Sequence, residues 1–346
     1  MEKDATRTDD KPILGITIGD INGIGPEVII KALSDSRLLN LFTPLIYGST
    51  KVLSFYKKAL NITDFNYSQS KNPGQLIHRK INVINCWNEH YEVKAGEDSP
   101  EGGKCAFMAL ERAVSDLKEG LIDGLVTAPI NKNNIQNDQF KFPGHTEYLA
   151  SKFDSKEILM MMVGHSMKVG VATGHIPIKE VSQMLTKELL IKKIRLMNQS
   201  LKNDFGIIKP KIAVLGLNPH AGENGLLGAE ENEIIKPAIK ELKDKGILAF
   251  GPFPADGFFG VAQYQKVDGI MAMYHDQGLI PFKALAFDNG VNFTAGLPVV
   301  RTSPDHGTAF NIAGKDQADP SSIREAIYLA IDVIHQRKQA EQLAQR

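Results

Sequence analysis

Apolar residues come in short runs separated by amphipathic stretches. The runs Ile13–Ile18, Leu45–Tyr47, Ile81–Cys86, Leu125–Ala128, Ile158–Val163, Val169–Thr173, Ile212–Leu217, Ile247–Phe250, Ile270–Tyr274 and Pro298–Arg301 predict strands. Helical spacing predicts helices near Pro26–Ser34, Cys105–Lys118, Lys187–Lys202, Glu230–Lys243 and Ser322–Gln339. In the last of these, Ile323, Ile327, Ala330 and Ile334 form one stripe, and Ser322 with Glu325 reads as a capping box. Strand–helix alternation at this spacing means βαβ units and a largely parallel sheet, an α/β fold class. No Gly/Ser-rich linker marks a boundary, so two domains would share a continuous sheet or exchange chain more than once. "DGLVTAP" and "DGIMAMY" both place Asp-Gly before a strand, an echo that a common turn explains as well as a duplication does. The polar start, Met1 to Lys11, reads as a frayed tail.

Composition narrows the partners. A chain of 346 residues exceeds what one ordinary core serves, so two domains or one large α/β unit is expected. Forty basic residues balance forty acidic ones, which argues against a nucleic-acid or membrane-surface protein. Only Cys86 and Cys105 are present, which points to a reducing compartment. The N-terminus lacks a signal peptide's apolar core, and no run is long enough to span a bilayer, so a cytoplasmic location is expected.

Candidate chemistry gathers where apolar runs stop. Three runs lead into His175, His220 and His275. Ligands of α/β sheets bind at the carboxyl ends of strands, so three imidazoles from separate strands could meet at one divalent ion. Each histidine alone reads more readily as a satisfied loop residue, and their spacings of 45 and 55 residues match no local metal signature. Asp256 and Asp276 add carboxylates nearby in sequence. "GITIGDINGIGPEVIIKAL" reads as strand, Gly-rich turn and helix, with Pro26 at the first helical position. Such a turn is either a tight connection or an anion cradle, and it matches neither GxGxxG nor a P-loop. "KFPGHTEYLA" places His145 and Thr146 at a helix start, as a cap or as a polar edge of a substrate cleft. Lys283, Asn292 and Arg301 follow at intervals of nine. Arg301 ends the apolar run Leu297–Val300, a poor place for a solvated charge. Arg and Lys converging on one point would hold a phosphate or carboxylate.

Taken in order, "GDINGIGPEV", "VTAPINK", "FPGHTEYLA", "GHIPIKEV", "GLNPHAGENGLLGAEE", "GPFPAD", "MYHDQGL" and "GLPVVRTSPDHGTAF" resemble the 4-hydroxythreonine-4-phosphate dehydrogenases of vitamin B6 biosynthesis. The resemblance runs from about Pro12 to about Ile334. It implies two α/β domains with an interdomain cleft, like the isocitrate and isopropylmalate dehydrogenases, and a homodimer with a shared active site. The first domain is expected over 1–128 with 295–346. The second, over 129–294, would carry the metal ligands and the dimer contacts. The resemblance further implies a divalent metal on His175, His220 and His275, and substrate contacts from His145, Thr146, Lys283, Asn292 and Arg301. Three neutral imidazoles suit Zn²⁺ best, with Co²⁺, Mn²⁺ or Mg²⁺ as alternatives. Asp276 would face the same cavity, orienting a ligand or handling a proton.

"HGTAFNIAGKDQADP" is similar to the loop of isopropylmalate dehydrogenases that holds the adenosine end of NAD, which makes His306, Gly307 and Asn311 cofactor contacts. Asn311 stands where NAD-dependent relatives carry an acid. An Asn bonds a ribose without repelling a 2′-phosphate, so NAD and NADP both remain open. The implied reaction is oxidation of 4-phosphooxy-L-threonine at C3, then loss of CO2. Asp256, Asp276 and Lys132 are the candidate bases. Two rival readings are a sister dehydrogenase acting on phosphothreonate or phosphoerythronate, and a metal-dependent hydrolase.

Overall fold

The computed structural model describes residues 11–286 and 289–344. The expected frayed tail before Lys11 lies outside them. Among the described residues the strands are β1 (Ile13–Thr17), β2 (Thr43–Gly48), β3 (Tyr67–Ser70), β4 (Ile81–Asn85), β5 (Gly124–Thr127), β6 (Leu159–Val163), β7 (Lys168–Val171), β8 (Lys211–Leu215), β9 (Leu248–Phe253), β10 (Gly269–Ala272), β11 (Val291–Ala295) and β12 (Val300–Pro304). The helices are α1 (Gly25–Leu33), α2 (Thr50–Ala59), α3 (Pro100–Lys118), α4 (His145–Lys152), α5 (Ile178–Met184), α6 (Lys187–Asn203), α7 (Lys236–Asp244), α8 (Ala255–Gly260), α9 (His275–Ala286) and α10 (Ser321–Ala344).

The chain forms two compact units, Met1–Phe153 with Val299–Ile334 and Asp154–Pro298 with His335–Arg346. The segment 129–153, assigned from sequence to the second domain, therefore packs with the first. Phe140 stacks on Tyr148 and meets Phe107, and Lys152 pairs with Glu111 at 2.7 Å. The last boundary also moves, because α10 belongs to the first unit only as far as Ile334.

The first unit pairs its strands in the order β3-β4-β2-β1-β5-β12, all parallel. β1 (ILGIT) is buried throughout, as expected of a parallel strand covered on both faces. The expected stripe of α10 is buried here, with Ile323, Ile327 and Ala330 at 0% exposure. Ser322, expected as the helix cap, is the second residue of α10. Its Oγ accepts from the Asp305 N–H at 3.0 Å, while Asp319 Oδ1 takes the Ser321 N–H at 2.7 Å.

The second unit runs β11-β6-β7-β10-β8-β9, with β11–β6 and β6–β7 antiparallel and the rest parallel. Its core gathers Val169, Val171, Leu215, Ile270, Leu279 and Phe282. The helix expected over Glu230–Lys243 is divided into a π-turn over Glu231–Ile235 and α7. Pro237 explains the break, since it has no N–H to return to the preceding turn. Among the described residues no helix is long and apolar enough to cross a membrane.

Candidate active site

In the second unit, β7, β10 and β8 are neighbours and parallel, so their carboxyl ends share one edge. Past that edge lie His175 after β7, His275 after β10 and His220 after β8. Hydrogen bonding between the β7 and β10 segments continues beyond the strands. The Ala172 and Thr173 N–H groups donate to Ala272 and Met273 carbonyls at 2.8 and 3.1 Å, and Thr173 Oγ1 donates to Met273 O at 2.7 Å. This brings the His175 and His275 rings to 5.5 Å between centroids. His275 is the first residue of α9 rather than the tip of a strand, because β10 stops at Ala272.

His175, Tyr274, His275 and Asp276 line a cavity of ≈ 290 Å³ with Ile176, Ile178 and Val181. His275 Nδ1 and Asp276 Oδ1 are 2.7 Å apart. If Nδ1 carries the proton it donates to this carboxylate, and Nε2 is left as the basic nitrogen. Asp276 in the first turn of α9 also suits the helix dipole. Two imidazoles at one edge are suitable donors for a borderline divalent cation, with Asp276 placed to orient one of them. His220 is not on this lining, and no three His, Cys, Asp or Glu side chains among the described residues are already gathered to hold a metal.

The other second-unit candidates stand on separate elements. Asp256 is exposed in the first turn of α8. Lys283 is half-buried on α9. Asn292, on β11, keeps its Oδ1 buried with no hydrogen-bond partner among the described residues. Leaving a buried amide oxygen unpaired costs about 1–3 kcal/mol, so this atom suits an incoming donor.

The first unit carries a buried cationic group. Arg301 on β12 is 2% exposed, and its Nε and Nη2 both donate to Thr127 Oγ1, at 3.1 and 2.7 Å. Burial pulls its guanidinium down to about 10, against the opposing pull of Glu147. His145 opens α4 and is held well below the ordinary imidazole range, first by burial and then by the charges of Arg301 and Lys132. It is therefore a neutral hydrogen-bonding ring at physiological pH. Thr146 and Glu147 are half-buried beside it, whereas Lys132 is exposed. Sequence reading passed over Thr127 as a site residue, although it lies inside "VTAPINK".

The Gly-rich turn proves to be a tight connection. Its Asp20, Gly23 and Ile24 N–H groups donate to carbonyls of Pro129, Asp20 and Thr308, and Asn22 N–H goes to Asp20 Oδ1. Four of its amides are thus committed within the protein. The turn backs the expected cofactor loop, for a Cβ on Gly23 would sit 2.9 Å from Thr308 O. In that loop Gly307 and Asn311 are exposed and His306 is half-buried, with its Nδ1 3.2 Å from Gly307 O. Lys315 Nζ reaches Asn311 O at 2.8 Å.

These features define an α/β protein with a histidine-bearing strand edge in one unit and a buried arginine beside a neutral histidine in the other. Residues 40–330 match the family model described as "Pyridoxal phosphate biosynthetic protein PdxA", and the chain belongs to that family. It is 52% identical over 331 residues to the 4-hydroxythreonine-4-phosphate dehydrogenase of Bacteroides thetaiotaomicron, covering 95% of this chain and 91% of that protein. A crystal structure of 4-hydroxythreonine-4-phosphate dehydrogenase from Klebsiella pneumoniae superposes with a TM-score of 0.82 at 36% identity, covering 94% of this chain and 99% of that one. An isocitrate dehydrogenase structure from Methylococcus capsulatus aligns at a TM-score of 0.50 and 11% identity over 96% of this chain and 89% of that one, a likeness of fold alone. The expected isocitrate dehydrogenase-like α/β fold is thereby met.

Proposed function

We propose that this chain oxidises 4-phosphooxy-L-threonine at its C3 hydroxyl with NAD⁺ or NADP⁺. The resulting β-keto acid loses CO2 to give 3-amino-2-oxopropyl phosphate. Family membership supports this reading, and the observation that carries it is Arg301, a buried guanidinium fixed by Thr127 beside a neutral His145. A buried cation with a planar donor fork suits a phosphate or carboxylate.

The proposed substrate contacts are Arg301, His145 and Thr146 in the first unit and Lys283 and Asn292 in the second. Neutral His145 can give or take a hydrogen bond to a substrate hydroxyl without adding charge. Asn292 Oδ1 offers an acceptor to a substrate N–H or O–H. His175, His220 and His275 would hold a divalent metal, and His306, Gly307 and Asn311 would border the dinucleotide. When bound, the metal would polarise the reacting oxygen and the dinucleotide would accept the hydride. Asp276 orients His275 through Nδ1, which leaves Lys132 and Asp256 as bases for the hydroxyl proton. Lys132 stands with His145 and Arg301 electrostatically, whereas Asp256 is exposed on α8.

We also propose a homodimer. The second unit leaves Ile178, Leu226, Val261 and Ile280 well exposed, and Ile178 borders the histidine cavity. Apolar surface of that kind marks interaction sites.

The test follows reduced-nicotinamide absorbance with metal-stripped enzyme, each metal and each dinucleotide being returned in turn. Turnover of 4-phosphooxy-L-threonine well above phosphothreonate and phosphoerythronate supports the proposal. The reverse preference establishes the sister reading. Phosphate or ester hydrolysis without dinucleotide reduction establishes a hydrolase.

A further inference from the structure

After β8 the chain adopts a conformation that L-residues avoid. His220, Ala221, Gly222, Glu223 and Asn224 have φ values of 52°, 51°, 79°, 44° and 58°. Only one of the five is glycine. The left-handed region costs an ordinary residue roughly 1–2 kcal/mol. A run of this kind persists only where its surroundings over-determine it.

The surroundings that do so are Glu231 and Gln277. Glu231 is 1% exposed in the π-turn before α7. Its Oε1 accepts the Leu217 N–H at 2.7 Å and the Asn218 N–H at 2.8 Å, and its Oε2 accepts Asn218 Nδ2 at 3.0 Å. The turn packs directly on this carboxylate, since a Cβ on Gly222 would lie 2.5 Å from Glu231 Oε2. Gln277 grips the same segment from α9. Its Nε2 donates to Gly216 O at 2.6 Å, and its Oε1 accepts the Met273 N–H at 2.7 Å. Gln277 lies two residues after His275. Gly216–Asn218, which leads into the His220 turn, is therefore tied both to the π-turn and to the start of the helix that carries His275.

We infer that Glu231 and Gln277 are positioning residues, a bracket on Gly216–Asn218 that fixes the His220 turn relative to His275. Neither side chain lines the histidine cavity. The inference rests on the proposal that His220 and His275 bind the metal, and it adds what holds them in place. Charge-assisted bonds from two consecutive amides to one carboxylate make Glu231 the stronger arm.

The test measures Zn²⁺ affinity of the full chain by competition with a chromophoric chelator, alongside a thermal melt. His220→Ala and His275→Ala set the loss expected when a ligand is removed. Glu231→Ala and Gln277→Met should each weaken Zn²⁺ binding by about tenfold to hundredfold in protein that remains folded, the usual consequence of losing a group that orients a ligand. Glu231→Gln keeps an Oε1 for both amides and should recover most of the affinity, which a loss through general destabilisation would not predict. Gln277→Met supplies the result if Glu231→Ala does not fold. Wild-type Zn²⁺ affinity in folded Glu231→Ala or Gln277→Met, with affinity lost in the two histidine variants, overturns the bracket and leaves the metal proposal standing. Wild-type affinity in His220→Ala removes the metal role of His220 and the inference with it.

Discussion

Replacing Arg301 tests the anion reading most directly. Its guanidinium is 2% exposed and is held by two bonds to Thr127 Oγ1. A phosphate meeting that fork gains charge-assisted hydrogen bonds worth about 1.5–3 kcal/mol each. Arg301→Ala should therefore cut kcat/KM for the phosphorylated substrate about tenfold to 150-fold for each bond lost. Arg301→Lys should not restore it, because an ammonium cannot make the planar two-point contact. Removing a buried side chain also costs stability, so the rate must be read against a control that stability does not touch. Phosphate-free 4-hydroxythreonine supplies it. The ratio of kcat/KM for the two substrates should be large in the wild type and collapse in Arg301→Ala, while a loss of folded enzyme would lower both rates equally. Thr127→Val, which keeps the shape and removes the acceptor, should narrow the ratio less, and Thr127→Ser should restore it. An unchanged ratio in Arg301→Ala and in Lys283→Ala sinks the idea that these residues read the phosphate.

The placement of several candidate residues was legible in the sequence, and what was not legible has physical reasons. Arg301 was visible because it closes an apolar run, and the structure buries it. The parallel pairing of β7, β10 and β8 follows from strand–helix alternation, which put three histidines near strand ends without fixing the strand order or where their rings point. β3 was missed because YSQS carries no apolar alternation, and α2 because only Val52, Leu53 and Tyr56 of its ten residues are buried. The start of α9 was hidden by Gly278 and Pro281, which read as helix breakers. Here Gly278 is what lets the helix sit down, since a Cβ would come within 2.8 Å of Val169 Cγ1 and 3.0 Å of Ala272 Cβ. The left-handed turn at 220–224 had little local signal, because only Gly222 adopts that region freely and, although His220 and Asn224 tolerate it, Ala221 and Glu223 do not.

Four further outcomes follow. His175→Ala and His275→Ala should each reduce bound metal and turnover with the fold intact, and full activity with stoichiometric metal in either removes that residue from the ligand set. Mixed subunits of His175→Ala and Arg301→Ala should regain part of the activity if the two defects fall in different sites of a shared dimer; no recovery despite proven subunit exchange argues for self-contained sites. Gly19→Ala should destabilise the fold by about 1–3 kcal/mol in urea unfolding without raising KM for the phosphorylated substrate, because Gly19 has a φ of 71° and its Cβ would meet Pro129 O at 2.4 Å; a KM effect in still-folded protein would return the turn to the list of anion sites. The last concerns pH. His145 has a depressed imidazole pKa in the folded chain, caused first by burial and then by Arg301 and Lys132. The unfolded chain therefore binds a proton that the folded chain resists. Above about 6.5, where the unfolded imidazole is itself neutral, His145 costs nothing. As pH falls below that value the unfolded state gains the proton and stability drops, until the folded pKa is passed. His145→Asn, which keeps a polar side chain and cannot titrate, should flatten that part of the stability profile and leave the region above it unchanged. Parallel wild-type and variant curves through the acid limb would mean that His145 does not resist protonation, and the neutral ring assigned to substrate binding would have to be withdrawn.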